Sequence, residues 1–299
     1  MKLKTTFSAP ILGALVLLLL IASRFLELET LSLQENICLA IIVLQVIILI
    51  VPSAFYVKIR GEGFSKRLRF APIGIEKLLV TLLAALTLIL GDTLMKLILY
   101  HIGYTESSHS VYSYYIGTAD PGVIYTLVTF AILPAIAEEL LFRGIFCAEY
   151  ESEGALTAVI ASAGLYGMFS LSFGRFPIYF FAGLIFALVM YLTRSIFASM
   201  ICHLCYALFD LAAGPTVHTI ITKEQSTGFL IFVLAGLFLL CLASLFAECE
   251  RIYYGYSLAD TPSEYANPKA NLRTFAQALL APPYLIVLAV FVVAAVQFG

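Results

Sequence analysis

The sequence predicts an all-α fold, a polytopic transmembrane helical bundle of about eight or nine spans, on three observations. The first is composition: of 299 residues, 62% are apolar and only 12% are charged, against about 25% charged in an ordinary soluble domain. The second is segmentation, because nine apolar stretches can be marked. Nine helices of about 20 residues, each crossing a hydrocarbon core of about 30 Å, would use about 180 residues. The third is the placement of Lys and Arg, which gather in some connections and are missing from others, as chains that cross a bilayer repeatedly show.

Taken in order, the stretches fall at about 8–26, 37–57, 76–101, 121–148, 155–171, 176–192, 195–213, 228–247 and 274–297. The first follows Lys2 and Lys4 and stays apolar past Ile21, with no small-x-small cleavage site, so it reads as a retained span. The second leads into the densest basic segment, Lys58, Arg60, Lys66, Arg67 and Arg69, whereas 102–120 holds no Lys or Arg. The first of these connections is therefore expected in the cytoplasm and the second outside. Counting through alternate connections puts the N-terminus, Arg194 and 248–273 inside and the C-terminus outside. The expected protein is a multi-pass cell-membrane protein with a cytoplasmic N-terminus. The fifth and sixth stretches are short and form an apolar hairpin. The segments 102–120 and 251–273 have the polar, Pro-containing composition of loops.

Several classes are excluded at this level. A net charge of -2 without a long basic run argues against nucleic-acid binding. Five of the six cysteines (Cys38, Cys147, Cys202, Cys205, Cys241) lie in or at the ends of apolar stretches and Cys249 just past one, so they read as small hydrophobes and not as a disulfide framework. Cys202-His203-Leu204-Cys205 is weak metal evidence without a second ligand pair.

Ionisable groups inside apolar spans cost about 2.5–3.5 kcal/mol each on insertion scales, so each one is a functional candidate unless a partner explains it. Asp92 and Lys96 are four apart, in the order that favours a structural ion pair on one helix face. His203 stands alone on an apolar stretch. The fourth stretch carries the strongest signal, Ala135-Ile-Ala-Glu138-Glu139-Leu-Leu-Phe-Arg143-Gly144. Successive helical residues point about 100° apart. Arg143 therefore pairs with Glu139, four residues before it, and Glu138 points elsewhere, suited to take a proton from water as a general base. The structural alternative makes the pair a polar helix end continued by Glu149, Glu151 and Glu153.

Glu138-Glu139-x-x-x-Arg143, followed by an apolar hairpin and a stretch bearing His203, resembles the CPBP family of CAAX proteases and bacteriocin-processing enzymes, also called Abi. The stretch Tyr191 to His203 resembles the segment leading into that family's last motif, and the resemblance covers about 121–212. It divides the chain into N-terminal helices with a polar loop (1–120), a protease core (121–212) and C-terminal helices (213–299). The resemblance implies an intramembrane endopeptidase acting on a membrane protein or lipidated peptide at the lipid bilayer. Glu138 would be the base, Glu139 with Arg143 its support, and His203 the histidine of a motif His-x-x-x-Asn/Asp that stabilises the oxyanion. No cofactor is required in this glutamate reading; an older family reading makes these residues zinc ligands.

Two positions depart from the family pattern. The histidine of a second motif, Phe-x-x-x-His, falls near 170, where the chain reads Tyr166-Gly-Met-Phe-Ser170, and the Asn/Asp position holds Ala207, with Asp210 three residues on. Ser170 or Ser172 is then the candidate to hold a water for Glu138. By helical rise Glu138 lies toward the cytoplasmic end of its stretch and Ser170 about 22 Å into the next, so they meet only if helices tilt or the fifth stretch is re-entrant. Three readings remain: an active endopeptidase, a catalytically silent relative that binds a partner or peptide, and a transporter or channel. The absence of an internal repeat counts against the last.

Overall fold

The computed structural model describes residues 5–26, 37–61, 66–104, 122–223, 227–258 and 272–298. Among these the regular structure is helical, with no strand. We number the helices α1 (Thr5–Ser23), α2 (Ile37–Arg60), α3 (Ile75–His101), α4 (Val123–Glu153), α5 (Ala155–Met168), α6 (Phe176–Thr193), α7 (Ile196–Lys223), α8 (Thr227–Leu258), α9 (Leu272–Leu279) and α10 (Pro282–Phe298). Lys2, Lys4, almost all of 102–120 and much of 251–273 lie outside the described residues.

Lipid offers no hydrogen bonds, so a spanning segment must satisfy its backbone within itself, and the apolar stretches form helices for that reason. Among the described residues, six helices are long and apolar enough to cross a bilayer: α2, α3, α4, α6, α7 and α8. The apolar parts of α1, α5 and α10 are shorter. At 14 residues α5 is about 21 Å long, less than the hydrocarbon core. The chain is a multi-pass membrane protein.

Helices α3, α4, α5, α6 and α7 pack around one another; α8 lies outside against α3, and α1 pairs with α10. The α5–α6 contact is close because it is built on small residues: a Cβ added at Gly183 would lie 2.9 Å from Ala163 Cα. That contact also brings the Gly183 carbonyl within 3.1 Å of Arg143 Nη2 on α4.

Helix α4 is continuous but changes its winding. A π-helical stretch, Val128–Ile132, ends two residues before Pro134, and in α2 another, Val46–Ile50, ends two residues before Pro52. A proline has no N–H to donate and its ring crowds the preceding turn, so the ladder is displaced just ahead of it. A third π-helical stretch, Leu140–Cys147, begins directly after the Glu pair. Because α4 runs on to Glu153, Glu138 sits at its midpoint and not toward an end. The helix continues because its last acids are partnered: Glu149 is fully buried against Arg60, Glu151 pairs with Arg69, and Arg67 donates to the Ala148 carbonyl. The basic segment between α2 and α3 thus clamps the end of α4.

Candidate active site

Glu139 is fully buried, accepts hydrogen bonds from two side chains and forms an ion pair with a third. Arg143 Nη1 lies 3.1 Å from Oε1, four residues along α4 as the spacing predicts. His203 Nδ1, on α7, lies 3.0 Å from the same oxygen. Ser199, one turn before His203, donates its hydroxyl to Oε2. Arg143 is buried too; its guanidinium lies 4.7 Å from the Tyr166 ring centroid and 5.0 Å from that of Phe186. Aromatic faces offer a desolvated cation partial compensation. Phe186 also stacks on the His203 imidazole, at 4.6 Å between centroids and 12° between planes.

These contacts fix His203 from two sides. A carboxylate that already carries the Arg143 ion pair acts as acceptor, which selects the tautomer with hydrogen on Nδ1 and leaves the Nε2 lone pair facing away from Glu139. Nε2 faces Glu138, with its Oε2 3.9 Å away. That gap is too long for a direct hydrogen bond and suits a bridging water. Glu138 is a quarter exposed where its neighbour is not exposed at all. The Tyr166 hydroxyl approaches the same carboxylate.

Glu138, Tyr166, Ser170 and His203 line one cavity of about 530 Å³, together with Lys96 and Asp210. The structure therefore brings the sequence-selected residues to one place. Ser170 reaches its wall because α5 ends at Met168 and the chain turns toward α6. Its hydroxyl, however, is committed to backbone, donating to the Gly167 carbonyl at 2.7 Å or to that of Ser172 at 3.1 Å. Asp92 and Lys96 do form an ion pair, at 2.9 Å, and Lys96 is shared with Asp210 at 3.2 Å. Tyr206 donates to Asp92 at 3.1 Å. His203 and Asp210 lie seven residues apart on α7, hence on one face.

Sequence reasoning missed Ser199, Tyr166 and Phe186. Ser199 carried a signal, since it precedes His203 by four residues and shares its face. Tyr166 and Phe186 carried none, because aromatic residues at helical spacing read as packing.

The donor set does not fit the zinc of the older family reading. Glu139 is taken up by Arg143, His203 and Ser199, which leaves Glu138 and His203 Nε2 as two donors where a catalytic zinc uses three protein ligands. Among the described residues, no three His, Cys, Asp or Glu side chains are grouped to hold a metal.

Residues 120–209 match the family model of the type II CAAX prenyl endopeptidase Rce1-like proteins. Over this segment the chain is similar to CAAX proteases. The matched segment contains Glu138, Glu139, Arg143, Ser170 and His203. No curated protein and no solved structure matches the chain significantly.

Proposed function

We propose that the chain is an intramembrane endopeptidase that hydrolyses a peptide bond in a membrane-associated protein or lipidated peptide, with 121–212 as its hydrolytic core. The observation that carries this reading is the uncommitted Glu138 carboxylate, facing His203 Nε2 across 3.9 Å at the wall of a cavity. A water in that gap donates one hydrogen to Glu138 and the other to Nε2, which turns its oxygen lone pairs toward a bound carbonyl carbon. Glu138 removes the first proton as the oxygen attacks, giving a tetrahedral oxyanion. The protonated Glu138 then delivers that proton to the leaving nitrogen as the C–N bond breaks, releasing an amine and a carboxylic acid that keeps the water oxygen. Glu139, Arg143 and Ser199 hold His203 and keep Glu138 free for this work. No step passes through a metal.

The Lys and Arg distribution supports a cytoplasmic N-terminus, which would place the basic clamp at the end of α4 in the cytoplasm; accessibility of single cysteines placed at residue 58 and at residue 103 tests this. The reading as a whole is tested with full-length protein in proteoliposomes and a prenylated CAAX peptide carrying a fluorophore and quencher across its scissile bond. Cleavage by the wild type, and cleavage at least about 100-fold slower by Glu138→Gln, is the expected result. Undiminished cleavage by that variant would sink it. A silent, peptide-binding relative is the second reading, favoured by the apolar Ala207 and by the committed Ser170 hydroxyl; wild-type cleavage excludes it.

A further inference from the structure

Hydrolysis at Glu138 needs donors for the oxyanion, and the resemblance assigns that work to His203 and to the Asn/Asp position. His203 spends its Nδ1 hydrogen on Glu139, the Ala207 side chain has no polar atom, and the nearby Ser170 hydroxyl is directed at backbone carbonyls. Tyr166, one turn before Ser170, lines the cavity, is 4% exposed, and brings its hydroxyl to Glu138. Its ring is fixed on several sides: Arg143 over one face, Phe142 edge-on at 4.9 Å, and His203 with centroids 6.4 Å apart. No other hydrogen-bond partner is found for this hydroxyl among the described residues. A phenol whose ring is held rigidly beside the base is placed where charge develops, and only its O–H need rotate to meet it.

We propose that Tyr166 is a catalytic residue whose hydroxyl donates to the oxyanion next to Glu138, in place of the Asn/Asp that this chain lacks. The inference rests on the endopeptidase reading. In the resting site the hydroxyl lies near the Glu138 carboxylate. When Glu138 has taken the water proton, its acceptor strength falls and the negative charge lies on the former carbonyl oxygen, to which the hydroxyl turns. The phenol keeps its proton throughout.

Tyr166→Phe isolates the hydroxyl, because it retains the ring that packs on Arg143, Phe142 and His203. With the prenylated peptide in proteoliposomes, this variant is expected to lose about 100-fold in kcat with KM little changed, the usual effect of removing one oxyanion donor. The double variant Tyr166→Phe/Ala207→Asn, which restores His-x-x-x-Asn with a donor on the wall of the same cavity, is expected to regain much of that loss and guards against a trivial folding defect. Wild-type turnover by Tyr166→Phe, alongside an inactive Glu138→Gln, would overturn the role of Tyr166 and leave the protease intact. A raised KM at unchanged kcat would also overturn it, making the hydroxyl a binding contact. A wild type that cuts nothing would overturn both readings.

Discussion

Two charged clusters lie inside this helical bundle, and both reach the same cavity. In the Asp92–Lys96–Asp210 cluster the charges are met internally: Lys96 sits between two carboxylates, and Asp92 also accepts from Tyr206. In the Glu138–Glu139–His203 cluster compensation is lopsided. Glu139 takes Arg143, His203 and Ser199, while Glu138 keeps only a distant imidazole and an approaching phenol. The difference teaches that a buried charge marks chemistry by what it is not bonded to. A saturated cluster holds helices in register; an unsaturated carboxylate on a cavity wall is available to a substrate or a water.

The comparison breaks if the two clusters respond alike to substitution. Glu138→Gln should reduce kcat by a factor of about 10²–10⁴, the range of a lost general base, while the thermal midpoint in detergent stays near wild type. Arg143→Met should act on folding instead: it leaves Glu139 buried without its ion pair, at about 3–5 kcal/mol, seen as a large drop in that midpoint. Lys96→Met should destabilise through the same physics and by a similar or smaller amount, since Asp210 is partly exposed. Adding Asp92→Asn and Asp210→Asn to Lys96→Met should recover part of the loss, which a thermal melt of the triple variant would show. The smallest effect is expected at Ser170→Ala, about 1 kcal/mol from one local hydrogen bond, with kcat changed far less than by Glu138→Gln.

Much of this site was legible before folding. The four-residue spacing of Glu139 and Arg143, and of Asp92 and Lys96, yields pairs through helix geometry alone, and both form. The isolation of Glu138 followed from the 100° turn between neighbours. Illegible were the contacts made between helices: Ser199 and His203 on Glu139, Phe186 on His203, and Asp210 on Lys96. The relative depth of Glu138 and Ser170 was illegible for a related reason. Its reckoning assumed full-length spans, whereas α4 continues through partnered acids and α5 stops short.

The sequence by itself determined that this is a helical membrane protein with a paired and an unpaired glutamate on one helix, because apolar run length and helical spacing are local properties of the chain. Only the tertiary structure decided that His203 bridges those glutamates, that the Ser170 hydroxyl turns to backbone, and that Tyr166 stands beside Glu138. Those relations depend on how α4, α5, α6 and α7 approach one another, and the approach is set by small-residue contacts such as Gly183 on Ala163. Spacing along a single helix carries no record of it.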